Sequence, residues 1–240
     1  TNAVLRIVLS GAGGGGWSGL TVTGGGTTIR GLVINGFSGF GSGQGVLFDS
    51  PAGGDVLSGS FIGTDASGMV AVPNAYGVVT HSHNSVIGGS TVADRNLLSG
   101  NSFSGVRVAA PNLGAVLPTY RGDATSVRNN LIGTNVTGMA ALANLQGGVQ
   151  VSVPGVVIGG TNAADRNVIA GNGQSGISAY PSTWGATVLT VPSGLVVQGN
   201  YIGTRADGLA ALANEAQGVY ISGPNSIIGG SEGTTPGGAC

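Results

Sequence analysis

The chain has 240 residues, 49 of them glycine, with only 7% charged residues and a formal net charge of −1. All eight basic residues are arginines, scattered and offset by nine acids, so there is no basic patch to hold nucleic acid or an anionic membrane surface. Collagen is excluded because glycine does not fall at every third position, disorder by abundant Val, Ile and Thr at low net charge, and membrane insertion by the lack of any run of about 18 apolar residues.

Residues 1–18 read as an N-terminal strand or cap. Thr1 stands without a Met, a basic stretch or an apolar leader, so any signal peptide is expected to have been removed or to lie outside this sequence. From residue 19 onward, a glycine followed by a short β-type run recurs. The runs are Leu20-Thr21-Val22 after Gly19, Val46-Leu47-Phe48 after Gly45, Val78-Val79-Thr80 after Gly77 and Val106-Arg107-Val108 after Gly105. Val149-Gln150-Val151 follows Gly148, Ile177-Ser178-Ala179 follows Gly176, and Val219-Tyr220-Ile221 follows Gly218. Successive steps are 26, 32, 28, 43, 28 and 42 residues. Three short apolar runs per step, parted by Gly, Asn or Ser, predict a three-sided solenoid over residues 19–230. No helical stripe appears, and each interior glycine would cost a helix about 1 kcal/mol. Two stretches, 111–125 and 180–193, interrupt the pattern as insertions from equivalent coils, two apart in the stack. Residues 231–240 form a tail or truncated coil ending at Cys240, the single cysteine, which allows no intrachain disulfide. With no polar cap apparent, the last coil is expected either to continue or to dock on another chain, and head-to-tail stacking into a filament is one outcome.

Internal similarity is strongest at a longer period. Ile62-Gly63-Thr64 returns as Ile132-Gly133-Thr134 and Ile202-Gly203-Thr204, each 70 residues on, followed by Gly68, Gly138 and Gly208 and by Asn74, Asn144 and Asn214. Val86-Ile87-Gly88-Gly89 interleaves as Val157-Ile158-Gly159-Gly160 and Ile227-Ile228-Gly229-Gly230, and Asp94-Arg95-Asn96 returns as Asp165-Arg166-Asn167. Each 70-residue block is therefore two coils, one short and one lengthened by an insertion. The first and third residues of each glycine-initiated run should point inward, and burying each aliphatic side chain is worth roughly 1.5–3 kcal/mol. Asn130 with Asn200, and Asn101 with Asn172, are expected to stack at turns, where Asn tolerates a left-handed backbone.

These residues resemble the Gly/Asn-rich right-handed parallel β-helix repeats of large secreted and surface bacterial proteins. The resemblance rests on Asn130-Leu131-Ile132-Gly133-Thr134 through Asn144 and on Arg166-Asn167-Val168-Ile169-Ala170-Gly171-Asn172. It covers about residues 56–230, and more loosely 19–55. It implies an all-β, single-domain right-handed parallel β-helix of about six to seven coils, an extracellular or cell-surface location, and the shape of the pectate-lyase superfamily. It implies little about activity, because such repeats carry several functions.

Enzymes of that shape set the chemical test. Hydrolases need nearby carboxylates; lyases need a carboxylate-bound Ca²⁺ and a base. The polygalacturonase signatures Asn-Thr-Asp, Asp-Asp, Gly-His-Gly and Arg-Ile-Lys are absent. The outward positions of the glycine-initiated runs are Thr21, Leu47, Val79, Arg107, Gln150, Ser178 and Tyr220, with no acid among them. Asp49, His81 and His83 lie just beyond and are the catalytic or metal candidates. A His-x-His pair on a strand puts both rings on one face, but residues 80–84 read as a turn and supply no evident third ligand. No metal or cofactor is expected. The duplicated Asp94-Arg95 and Asp165-Arg166 read as corner ion pairs or as arginines bonded to loop carbonyls, since an active site is rarely duplicated. The Ca²⁺-binding nonapeptide is missing. Glycine clusters 13–16 and 24–26 lack the Lys-Ser/Thr of a phosphate loop. Tyr120, Tyr180 and Trp184 in the insertions, with Arg107 and Tyr220, are candidates for an aromatic surface that meets glycan or protein; folding over the helix side is the structural alternative. A single Thr21-Val22-Thr23 is too little for ice binding. The expected function is a non-catalytic extracellular scaffold (adhesin stalk, sheath or fibre subunit) whose partners are copies of itself, other surface components or glycans. The alternative is a carbohydrate-active enzyme or glycan-binding domain.

Overall fold

Short β-branched runs punctuated by glycine cannot form long strands, and among the described residues they form 23 strands, each of two to five residues, threaded coil after coil. The computed structural model describes residues 7–11, 16–39, 43–111 and 122–230. In chain order the strands are β1 (Ile7–Ser10), β2 (Leu20–Val22), β3 (Thr28–Arg30), β4 (Leu32–Asn35), β5 (Gln44–Phe48), β6 (Val56–Ser58), β7 (Phe61–Ile62), β8 (Tyr76–Thr80) and β9 (Val86–Gly88). There follow β10 (Leu97–Leu98), β11 (Ser104–Val108), β12 (Ser126–Arg128), β13 (Leu131–Ile132), β14 (Gly147–Val151), β15 (Val157–Gly159), β16 (Val168–Ile169) and β17 (Ser175–Ala179). The last are β18 (Ser182–Trp184), β19 (Thr187–Thr190), β20 (Val196–Gln198), β21 (Tyr201–Ile202), β22 (Val219–Ile221) and β23 (Ile227–Ile228).

Three parallel sheets of seven strands each result. The front sheet stacks β2, β5, β8, β11, β14, β17 and β22; the side sheet β3, β6, β9, β12, β15, β20 and β23; the back sheet β1, β4, β7, β10, β13, β16 and β21. The chain visits front, side and back in turn, which makes it a parallel β-helix, as the repeat predicts. No helix among the described residues is long and apolar enough to cross a membrane.

Register is set by aliphatic columns, because a one-residue slip would turn every inward side chain outward. In the back sheet Ile34, Ile62, Leu98, Ile132, Ile169 and Ile202 lie in line, so the isoleucines of the three Ile-Gly-Thr motifs share one axis. Val46, Val78, Val106, Val149 and Ile177 align in the front sheet, and Leu57, Ile87, Val127, Ile158 and Val197 in the side sheet. All three columns meet in one interior cluster.

Two ladders of asparagines, all buried except the half-buried Asn200, run along the corners. Asn74 donates to Asn101, Asn101 to Asn144, Asn144 to Asn172 and Asn172 to Asn214, at 3.2, 2.9, 3.0 and 2.9 Å. Asn96, Asn130, Asn167 and Asn200 form the second ladder, at 2.9, 2.9 and 2.8 Å. The expected columns were therefore too sparse: Asn167 stands between Asn130 and Asn200, and Asn144 between Asn101 and Asn172. Left-handed backbone is not the reason for these residues either. The asparagines with positive φ among the described residues are Asn84, Asn129 and Asn225, outside both ladders.

The alternation of coil lengths comes from two corners. Loops 63–75, 133–146 and 203–218 leave the back sheet in every second coil, each closed by a bridge between Thr64 and Ala71, Thr134 and Ala141, or Thr204 and Ala211. They touch across the intervening coil, Val136 N–H bonding Gly68 C=O and Ala206 N–H bonding Gly138 C=O, both at 3.0 Å. Beneath them Val33, Phe61, Leu97, Leu131 and Val168 form a second apolar layer with Val136, Ala206 and Leu212. The coils between carry single 3₁₀ turns, Val92–Asp94 and Ala163–Asp165, at the preceding corner.

Candidate functional site

The front sheet presents its outward row in register: Leu47, Val79, Arg107, Gln150, Ser178 and Tyr220. Period-two alternation puts these residues on the far side from the valine column. The row is not uniformly open, since Val79 is buried while Arg107 and Tyr220 are exposed.

Asp49 follows β5 and His81 follows β8, so one coil step brings them together, with His81 Nδ1 3.0 Å from Asp49 Oδ1. Burial lowers the His81 pKa below its ordinary 6.5, Asp49 works against that, and the positive Arg107 adds to it. Near neutral pH the ring is therefore uncharged. Because a carboxylate only accepts, Nδ1 carries the proton and donates, and the contact is a hydrogen bond rather than an ion pair. His83 is not part of this pair. It sits in the turn after β8, where its main-chain carbonyl accepts from Gly54 N–H at 2.9 Å. No group of three metal-ligating side chains occurs among the described residues.

Arg107 lies one strand further on. Its guanidinium stands 5.4 Å from the centre of the Tyr76 ring and donates to the Tyr76 hydroxyl at 3.4 Å. Tyr76 in turn packs on Phe103, ring centres 4.9 Å apart. Past β11 the surface sinks into a hollow of about 210 Å³, with polar groups from Arg107, Gln150, Ser152, Tyr180, Ser182 and Thr183. The far wall begins the 180–193 insertion, which is an antiparallel hairpin of β18 and β19. Thr190 Oγ1 donates to Ser152 C=O at 2.5 Å and pins the hairpin to the stack. Burial raises the Tyr180 pKa, Arg107 opposes the shift and Tyr76 adds to it, so the phenol and the guanidinium share one electrostatic neighbourhood. A larger hollow of about 320 Å³ beside Arg166 and Tyr201 reaches Gly230, where the described residues stop.

Asp49, His81, Arg107 and Tyr180 thus form one continuous strip. Tyr220 is three strands beyond Arg107, about 14 Å along the stack. Trp184 ends β18, and Tyr120 lies outside the described residues. Tyr76 was missed by the sequence reading. It immediately precedes Gly77, one residue outside the run that the repeat marks.

The repeated acids are absorbed by corners, as expected, although with different partners. Asp94 pairs with Arg30 at 2.9 Å, not with Arg95, and also accepts from Thr91 Oγ1 at 2.6 Å. Asp165 accepts from Ser90 Oγ at 2.9 Å and lies 3.9 Å from Arg128. Arg166 donates to the Gly199 carbonyl at 3.0 Å and covers the Tyr201 ring, while Arg95 donates to Asn129 Oδ1 at 3.0 Å. Asp65 accepts from Ser67 Oγ and from the Met69 and Val70 amides. Burial works against its charge, but these bonds hold its pKa below the ordinary carboxylate value.

Fold and surface define a three-sided parallel β-helix repeat protein with a shallow polar-aromatic strip on its front sheet. No protein-family model, curated protein or solved structure matches the chain.

Proposed function

We propose that the chain is a non-catalytic adhesive scaffold that works outside the cell, as part of a surface protein, sheath or fibre, and holds glycan on its front sheet. The observation that carries this reading is where the acids go. Asp65, Asp94 and Asp165 are each tied into a turn, while the strip beyond the Asp49–His81 pair offers a guanidinium, phenols, hydroxyls and an amide. Such groups bind a polyol and perform little acid–base chemistry. A charged fraction of only 7%, together with the resemblance to surface-protein repeats, supports the extracellular setting. Exposed Tyr220, Ile227 and Ile228 at one end of the described stack support further stacking on that edge. Seven coils span roughly 30 Å. Negative-stain microscopy should show rods several times that length, and glycan arrays should show binding. Dispersed short particles that bind neither glycan nor cells would sink the proposal.

A second reading, a polysaccharide lyase or hydrolase, draws on the Asp49–His81 pair beside Arg107. Reducing-sugar and unsaturated-uronate assays on a polysaccharide panel decide it: turnover that disappears in both Asp49→Ala and His81→Ala establishes the enzyme.

A further inference from the structure

Among the residues lining the 210 Å³ hollow, Arg107 carries the only charge. It is exposed, and among the described residues no carboxylate lies within ion-pair distance of it. Its guanidinium donates to the Tyr76 phenol at 3.4 Å, at the long limit for a hydrogen bond. Asp49, the acid on this face, lies two strands away on the side opposite the hollow and already accepts from His81. A guanidinium fork flanked by the phenols of Tyr76 and Tyr180 is a donor set for a planar or tetrahedral oxyanion. The rest of the wall fits a different part of a ligand. Gln150, Ser152, Ser182 and Thr183 are neutral donor–acceptors suited to hydroxyls, and the Tyr180 ring, 41% exposed, gives a partly apolar flat surface. The hairpin is fastened by Thr190 to Ser152, so the wall is held before any ligand arrives.

We infer that this hollow binds one acidic sugar unit, its carboxylate or sulfate on Arg107 and its hydroxyls on the Gln150–Thr183 wall. The inference rests on the adhesive reading and narrows it to acidic glycans. Titration calorimetry of the intact chain against three oligosaccharides matched in length (neutral, uronate-bearing and sulfated) tests it at low and high salt. One or both acidic ligands should bind at least about tenfold tighter than the neutral one, with the advantage shrinking at high salt. Arg107→Gln should erase that advantage, and Arg107→Lys, which keeps the charge but loses the fork, should retain part of it. Circular dichroism confirms that each variant is folded, and Arg30→Gln, which removes an exposed arginine from the side sheet, should bind like the parent. A preference for uronate or for sulfate identifies the anion. Equal binding of neutral and acidic ligands overturns the inference and leaves the adhesive reading standing; no binding of any ligand overturns both. Competition by inorganic sulfate as effective as by the sulfated ligand reduces the hollow to a plain anion site and also overturns it.

Discussion

A buried asparagine amide has two N–H donors and a carbonyl with two lone pairs, and a rung in this solenoid supplies partners for all of them. Asn144 Nδ2 donates to Leu98 C=O at 2.9 Å and to Asn172 Oδ1 at 3.0 Å, while its Oδ1 accepts from Asn101 Nδ2 and Asn101 N–H at 2.9 and 3.1 Å. The same pattern recurs rung after rung, which gives each ladder a direction. Asn144→Ala would remove one link and strand groups on the rungs either side. At about 1–3 kcal/mol for each buried group left without a partner, the loss should reach about 3 kcal/mol in guanidinium denaturation. Asn162→Ala, on the surface, should cost less than about 0.5 kcal/mol; equal costs would show that the ladder adds nothing. The sequence revealed the asparagines but not their role. Asn is common in turns, and a 70-residue spacing makes Asn130 and Asn200 look like neighbours. Only the coil-by-coil register places Asn167 between them.

At the scale of elements, the corner loops show why glycine returns where it does. Gly138 has φ +71°, and a Cβ there would sit 2.5 Å from Ala206 Cβ, in the next loop of the same kind. Gly203 has a similar φ of +77° with open space around it. Both alanine variants carry the left-handed strain of roughly 1–2 kcal/mol, but only Gly138→Ala adds overpacking, about 1–3 kcal/mol more. Thermal unfolding should therefore rank Gly138→Ala well below Gly203→Ala, and equal melting points would mean that the loops do not brace one another. The strands themselves were legible, because most glycine-initiated runs alternate apolar and polar residues and all of them repeat in register. The loop-to-loop contact was not, since it joins coils two apart and leaves no periodic mark beyond the glycine. The hairpin of β18 and β19 has no repeat partner among the described residues. For the same reason the candidate site was only half visible: Asp49, His81, Arg107 and Tyr180 stood out by residue type, whereas Tyr76 and the wall at Ser152 depend on neighbouring coils.

At the scale of the whole molecule, the three sheets join each coil only to the coils above and below, and bonds across an intervening coil are made at the corners, so stability is close to a sum of rungs and nearest-neighbour interfaces. Interior rungs gain from both sides. Val106 pairs with Val78 on one flank and Val149 on the other, whereas among the described residues Val219 of β22 pairs with Ile177 alone. The burial follows: Val106 and Val149 are fully buried, while Ile227 and Ile228 of β23 are more than half exposed. Opening should therefore start at the ends and move inward as an unzipping of single rungs. Native-state hydrogen exchange on this chain should find the slowest amides in β10 to β15. Those of β2, β3, β22 and β23 should exchange on the order of 100-fold faster or more, with a stepwise gradient between. Uniform protection across all seven rungs would mean that the asparagine ladders and stacked loops couple the solenoid into one cooperative unit, and that the nearest-neighbour picture fails. If longer rods assemble by end-to-end stacking, the same experiment on the assembled form should erase the gradient at whichever end becomes an interior rung.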